Sequence, residues 1–155
     1  MSNDYVIHKV DLVKNRDVFL YLGKKQHDEV EKYFTGVDLS GKNADWEQLL
    51  TLTQQGIMHS YVCATPEGWP CGYIVVFKTK HPMLGYVMVQ EMLMYVDPDH
   101  RGKGLAGRMM STVEKEFEGQ VDMFMFSIKP NPSAMSSMEK QGFVLYEHVF
   151  MKKGK

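Results

Sequence analysis

The stretch that decides the fold runs from residue 96 to residue 110 and reads VDPDHRGKGLAGRMM. It follows a strand-like apolar run, residues 90–96, and leads into a helical pattern with apolar residues four apart. Glycines allow backbone N–H groups to approach a ligand closely, and the N-terminus of a helix adds partial positive charge. The stretch therefore predicts a binding site for a phosphate or pyrophosphate group.

Three glycines in this stretch, Gly102, Gly104 and Gly107, fit the dinucleotide-binding pattern G-x-G-x-x-G, which alone is a weak signal. A Rossmann domain would place the pattern after its first strand and continue with several βα units. Here the pattern follows the fourth predicted strand, and only about 50 residues remain. A P-loop needs Lys and then Ser or Thr after its last glycine, but Lys103 is followed by Gly104. Both nucleotide-binding folds are therefore disfavoured.

The order of predicted elements indicates a mixed α/β domain with helices packed on one sheet. The strongly apolar strand at 121–128 is predicted to be central in that sheet. The predicted strands are residues 5–10, 58–64, 71–80, 86–96, 121–128, 143–146 and 148–151. The predicted helices are residues 15–23, 28–34, a segment with Asn43 as its N-cap that ends near Gly56, a segment with its apolar stripe at Leu105, Met109, Val113 and Phe117, and a short helix from Pro132 to Gly142.

Length and composition suit one soluble domain. The chain has 155 residues, 44% of them hydrophobic and 24% charged, and its formal net charge is −1. Near-zero charge gives no electrostatic argument for nucleic acid or an anionic membrane as partner. The apolar runs are shorter than the ~20 residues of a membrane span, and the first residues do not resemble a signal peptide, so a cytoplasmic location is expected.

The cysteines and histidines predict no metal site, because none of them has the spacing of zinc ligands. The two cysteines, Cys63 and Cys71, flank a predicted hairpin turn. They are expected to lie near each other, as buried free thiols in a reducing compartment rather than as a disulfide.

With these motifs in place, the chain resembles the GNAT superfamily of acyl-CoA-dependent N-acetyltransferases. Residues 101–106, RGKGLA, match the signature Arg or Gln, two residues, Gly, one residue, Gly or Ala, and the preceding YVDP is also typical. Downstream, Asn131, Ala134 and the run EKQGF at 139–143 resemble a second family segment. The resemblance covers residues 58–151, while residues 1–56 fit the variable substrate-side helices in outline. It implies one domain, residues 1–155, with a mixed, mostly antiparallel central sheet flanked by helices.

The resemblance implies that acetyl-CoA lies in a V-shaped gap between the strands ending at Val96 and Ile128. Backbone groups of Met94, Tyr95 and Val96 would pair with the pantetheine arm as an added strand does. Asn131 would contact the cofactor, cap the last helix, or do both. The backbone amides of the loop would hold the pyrophosphate, and the Arg101 and Lys103 side chains would add positive charge. The loop residues implied are Arg101, Gly102, Lys103, Gly104, Leu105 and Ala106.

The implied reaction is attack by the neutral primary amine of a small-molecule or protein acceptor on a thioester. An alkyl amine is mostly protonated at neutral pH, so a general base is needed. Glu91 is the predicted base, because it is the only carboxylate in the strand 86–96 and family members often use a glutamate there. Gln90 is the alternative residue facing the site, and Glu91 would then face solvent or pair with a lysine. A backbone N–H near Met94 would stabilise the oxyanion.

One position departs from the family pattern. The tyrosine that usually protonates the leaving thiolate is Met138 here, and methionine has no proton to donate. Another hydroxyl could protonate the leaving thiolate, and Ser137 is the predicted donor, with Ser136 and Tyr95 as alternatives. Otherwise no acid is needed, because a thiol is a tolerable leaving group. The alternative function is an acyl-CoA-binding regulatory module with weak or no catalysis. Family members are often dimers, and the chain itself does not decide this.

Overall fold

The computed structural model describes residues 4–30, 43–129, 132–152 and 154. In this part, one strand, helices, three strands, a helix, a strand and a helix follow one another in the predicted order. The strands are β1 (Val6–Val10), β2 (Met58–Ala64), β3 (Pro70–Lys80), β4 (Val87–Val96) and β5 (Met123–Met125). The helices are α1 (Arg16–Val30), α2 (Trp46–Gln54), α3 (Leu105–Glu116) and α4 (Pro132–Lys140), with a 3₁₀ turn at Pro98–His100.

The five strands form one sheet in the order β1-β2-β3-β4-β5. The first four pair antiparallel, and β5 pairs parallel to β4, which confirms a mixed, mostly antiparallel sheet. The parallel ladder holds only three residue pairs, from Met88–Met123 to Gln90–Met125. Beyond Gln90, β4 continues to Val96 without β5 beside it. The two strands therefore part along the second half of β4.

Each face of the sheet carries its own apolar core. On one face, α3 packs with the buried residues of β2, β3 and β4, and its predicted stripe Leu105, Met109, Val113 and Phe117 is buried. On the other face, Phe19 and Leu22 of α1 pack against Tyr73 and Tyr95, with α2 beside them. Helices cover both faces because β3, which lies between β2 and β4, is apolar on both.

The first helical region differs from the sequence expectation. The structure has one helix, α1, where two were predicted with a break after Gly23. A helical glycine costs only about 1 kcal/mol, and burial of Phe19 and Leu22 on the preceding turns outweighs it. Part of the second predicted helix, residues 31–34, lies outside the described residues. The N-cap of α2 is Asp45, whose carboxylate accepts from the Gln48 N–H, rather than Asn43.

The C-terminal third also differs. The predicted central strand at 121–128 is reduced to β5, which is the last strand of the described sheet. The predicted strands at 143–146 and 148–151 are wrong, since no regular structure forms there and Val144 and Phe150 are 87% and 91% exposed. An apolar composition favours a strand, but a strand forms only where its backbone finds a partner, and the described residues supply none for this segment.

The last turns of α1 are tied to the connection between β4 and α3. Lys25 forms an ion pair with Asp97, which is buried and also accepts the Asp99 N–H. The ammonium of Lys25 lowers the pKa of Asp97, and the carboxylate in turn raises the pKa of Lys25. The pair therefore fixes the end of β4 against α1.

The two cysteines are free and buried, as predicted, with their Sγ atoms 3.9 Å apart. They are neighbours because Cys71 is the extra residue where the β2–β3 register shifts. Burial raises the pKa of both thiols, that of Cys71 to about 12, so both stay protonated at neutral pH.

The core role of α3 gives a first prediction. Met109 has 0% exposure, so Met109→Ala should lower the free energy of unfolding by about 2–5 kcal/mol through lost contacts and a residual cavity. The matched control is Met83→Ala, because Met83 is 88% exposed and its truncation should change stability by about 0.5 kcal/mol or less. Urea unfolding measures both, and equal losses would contradict the placement of α3.

The Lys25–Asp97 pair predicts a pH dependence of stability. A carboxyl whose pKa is lower in the folded than in the unfolded chain stabilises the fold above the unfolded pKa and loses this effect as the pH falls. The free energy of unfolding should therefore fall below about pH 4, and less steeply in Asp97→Asn. Lys25→Met should flatten the same region. Urea unfolding as a function of pH tests this, and unchanged slopes in both variants would refute it.

Candidate cofactor and active site

The outer edge of β4 is the first component of the site. The Asp97 N–H donates to the Cys71 carbonyl oxygen at 2.8 Å, which fixes the alternation of the β3–β4 ladder. Met94 and Val96, opposite Ile74 and Gly72, then occupy its non-hydrogen-bonded positions. Their backbone groups consequently point away from β3, toward the side where β5 has parted from β4.

Side chains already occupy the two outward carbonyls. Gln26 of α1 donates its Nε2–H to the Met94 oxygen at 3.2 Å, and Arg101 donates its Nε–H to the Val96 oxygen at 2.9 Å. The Tyr73 hydroxyl donates to Oε1 of Gln26 and orients its amide. A carbonyl oxygen has two lone pairs, so each still has capacity for a second donor.

The glycine-rich loop is the second component. Gly102 and Gly104 have φ angles of 77° and 72°, in the left-handed region that favours glycine. Gly104 is the N-cap of α3, and among the described residues no side chain caps it. The amides of the first turn of α3 are thus left to an external acceptor, and the helix dipole favours an anion there.

The strand edge and the loop line an open cavity of about 260 Å³. Its lining includes most of the predicted cofactor residues, together with His100, which sequence analysis did not select. The lining residues are Met94, Tyr95, Val96, His100, Arg101, Gly102, Gly104, Leu105 and Ala106. The structure therefore brings the predicted strand and loop segments together in one place.

The two cations of the loop have different partners. Arg101 forms a two-pronged ion pair with Glu29 of α1, with N–O distances of 2.5 and 2.6 Å. Lys103 instead donates its Nζ–H to the Tyr5 hydroxyl at 2.9 Å. Arg101 thus anchors the loop to α1 with its charge balanced, whereas no carboxylate of the described residues forms an ion pair with Lys103.

Glu91 follows Gln90, the last residue of β4 that pairs with β5. It is half-buried, and its carboxylate accepts the Ser127 N–H at 3.1 Å across the point where the strands part. Burial raises the pKa of Glu91, opposed by the Ser127 N–H and the charge of Lys129. Gln90, the alternative residue, is exposed. Next to Glu91, Met92 is the extra residue of a β-bulge, since Glu91 pairs with Val76 and Leu93 with Val75.

The predicted residues of the last helix lie elsewhere. Ser137 accepts a hydrogen bond from Gln141 and lines a second groove of about 700 Å³ between β1, α3 and α4. Met138 packs against the core beneath α3. Of the three candidate hydroxyls, Tyr95 lines the cavity of the glycine-rich loop. Asn131, predicted to contact the cofactor, lies outside the described residues.

Sequence analysis missed the residues that support the strand edge and the loop from elsewhere in the chain. Gln26 contacts β4 at Met94, while Glu29 and Tyr5 contact the loop, across 68 to 98 residues of sequence. No local sequence pattern identifies these residues, because their contacts form only when elements distant in the sequence pack together.

Neither a metal-binding cluster nor a membrane-spanning helix occurs within the described parts of the chain. No group of three or more His, Cys, Asp or Glu side chains is placed to hold a metal ion. None of the helices described has the length and apolarity needed to cross a bilayer.

Comparison with known proteins agrees with this architecture. No curated protein sequence matches the chain. The fold matches that of the BH1408 protein from Bacillus halodurans, with a TM-score of 0.76, 15% identity and coverage of 96% of this chain and 99% of that one. A ribosomal-protein-alanine N-acetyltransferase from Brucella melitensis matches at TM-score 0.66, 16% identity and 97% and 99% coverage. An aminoglycoside acetyltransferase from an uncultured soil metagenomic sample matches at TM-score 0.71, 13% identity and 99% and 97% coverage.

At these identities the structures establish the fold alone. The family is established by sequence, since the model of the acetyltransferase (GNAT) family matches residues 24–143, which is more than half of the chain. The match spans the open edge of β4, the glycine-rich loop and α4. The chain belongs to the GNAT acetyltransferase family.

Proposed function

We propose that this protein transfers the acetyl group of acetyl-CoA to a primary amine by direct attack. The observation that carries the proposal is the cavity between the outer edge of β4 and the uncapped start of α3. A strand edge suits the amide-containing pantetheine arm, and a helix N-terminus with glycine amides suits a diphosphate. The acceptor is a small molecule or a protein that carries a primary amine.

Glu91 is proposed as the general base. Burial raises its pKa and so brings its basicity closer to that needed to take a proton from an amine near neutral pH. The Ser127 N–H holds its carboxylate at the point where β4 and β5 part, next to the open edge of β4. Negative charge that develops on the acetyl oxygen would be met by a backbone N–H near Met94.

The proton for the leaving thiolate has no dedicated tyrosine at position 138. We propose Tyr95 as the better placed of the remaining hydroxyls, because it lines the cavity. Its pKa is raised to about 12, chiefly by burial and by the nearby charge of Glu29, so it is protonated at neutral pH. The role of Ser137 stays a prediction. Ser137 lines the second groove, which adjoins the proposed cofactor cavity at Gly104 and also includes Tyr5.

A second candidate is an acyl-CoA-binding module with little or no catalysis. The observation in its favour is that Met138 is packed against the core, so the position of the usual acid holds an inert side chain. Release of CoA thiol with a panel of amines distinguishes the two. Retained binding without release across the panel would favour the module.

Cofactor binding gives the first functional prediction. At about 100 times its Kd, acetyl-CoA should stabilise the fold by about 2.7 kcal/mol, measured by thermal shift. Lys103→Ala should weaken binding by about fivefold or more, since no carboxylate in the described ranges balances the charge of Lys103 and that charge favours an anion. Arg101→Ala should affect binding less, because Glu29 already balances that charge. No thermal shift with saturating acetyl-CoA would refute the proposed cofactor site. Equal losses of acetyl-CoA affinity in Lys103→Ala and Arg101→Ala would refute the different roles given to the two cations.

The proposed role of Glu91 as general base gives the second functional prediction. Glu91→Gln should lower kcat/KM by about 100-fold or more while retaining the contact to the Ser127 N–H. Activity needs the deprotonated carboxylate, so kcat/KM should rise with pH through the raised pKa of Glu91, and this limb should vanish in the variant. Glu114→Gln is the matched control, because burial also raises the pKa of that carboxyl on α3. A wild-type profile in Glu91→Gln would remove Glu91 as the base.

A further inference from the structure

Tyr5 lies immediately before β1, within the region that the sequence assigned to the acceptor side. Its side chain is only 6% exposed, and its ring belongs to the same core cluster as Leu105 of α3. The polar end of this buried side chain reaches the glycine-rich loop about 100 residues further along the chain.

The Tyr5 hydroxyl joins two residues on either side of Gly102. It lies 2.9 Å from Nδ1 of His100 and 2.9 Å from Nζ of Lys103. The ring contacts the same pair, since His100 packs edge-on at 5.7 Å between ring centroids and the Lys103 ammonium lies 5.3 Å from the Tyr5 ring centroid. Both residues are therefore held by one side chain.

Hydrogen-bond inventory fixes the direction of one of these contacts. An ammonium group only donates, so the Tyr5 oxygen accepts from Lys103, and its second contact, to Nδ1 of His100, has the direction set by the tautomer of the ring. Lys103 is thus held by a hydroxyl rather than by a carboxylate, which positions the ammonium without pairing its charge.

The backbone of Tyr5 adds a third attachment, because its carbonyl oxygen accepts from Nη2 of Arg108 at 2.9 Å. Positions 100, 103 and 108 therefore all connect to one residue. They bracket residues 101–106, whose amides would receive the diphosphate. A loop with two glycines in the left-handed region would otherwise lose conformational entropy on binding, and anchoring it in advance removes part of that cost.

We propose that Tyr5 is a positioning residue for diphosphate binding, which orients Lys103 and His100 and holds the loop ready for the anion. The inference rests on the proposed acetyl-CoA site and extends it to a residue outside the family match, which begins at residue 24.

The test removes one hydroxyl and keeps the ring. Tyr5→Phe is compared with Tyr61→Phe, which also removes a buried tyrosine hydroxyl bonded to α3, at Glu116 and away from the loop. Calorimetry measures the Kd of acetyl-CoA, of inorganic pyrophosphate and of S-acetyl-pantetheine, which lacks the diphosphate. Thermal unfolding of each variant controls for a purely structural loss.

Tyr5→Phe should raise the Kd of acetyl-CoA and pyrophosphate by about two- to tenfold, the value of one hydrogen bond, and leave S-acetyl-pantetheine unchanged. Its effect should appear in the KM for acetyl-CoA rather than in kcat, and should shrink when Lys103 is already alanine. Tyr61→Phe should change none of the three affinities.

Two outcomes overturn the inference. Equal weakening of S-acetyl-pantetheine and acetyl-CoA, or equal behaviour of Tyr5→Phe and Tyr61→Phe, would reduce Tyr5 to a structural role while leaving the transferase proposal standing. Wild-type protein that binds neither acetyl-CoA nor pyrophosphate would overturn both together.

Discussion

The parting of β4 from β5 after three parallel pairs is the constraint on which the site depends. A strand paired on both sides has no free backbone N–H or C=O groups to bind a ligand. Beyond Gln90, β4 pairs with β3 on one side and has an open edge on the other. That edge begins where the Glu91 carboxylate bridges to the Ser127 N–H and ends at the turn leading to the glycine-rich loop. One geometric feature therefore places a carboxylate, a strand edge and a helix N-terminus in sequence along a single line.

Helix α1 supports that line from the other face of the sheet. Lys25, Gln26 and Glu29 contact Asp97, the Met94 carbonyl and Arg101 in turn, so its last turns follow the end of β4 residue by residue. The two ion pairs among these contacts, Lys25–Asp97 and Glu29–Arg101, join opposite charges, so they hold the elements together rather than attract a ligand. The other cation of the loop, Lys103, has the Tyr5 hydroxyl as its partner and pairs with no carboxylate in the part of the chain that the structure describes. The loop thus carries two cations with different roles: Arg101 anchors it to α1, and Lys103 is left for an anion.

Much of this was readable from sequence because the signals were local. Strand β2 was predicted to the residue, and the glycine-rich loop and the apolar stripe of α3 follow from short-range spacing. The errors have one cause. Predicting 121–128 as a central strand and 143–151 as strands assumed partners that local composition does not reveal. Gln26, Glu29 and Tyr5 were missed for the same reason, since their roles arise only when distant elements meet.

The surroundings of Glu91 bear on both reactants of the proposed transfer. The β-bulge at Met92 leaves this apolar side chain 55% exposed beside the carboxylate, and Leu93 next to it is 45% exposed. Partial burial disfavours charge, so it raises the pKa of Glu91 and equally disfavours the ammonium form of an amine placed against it. A stronger base and a less protonated nucleophile follow from the same desolvation.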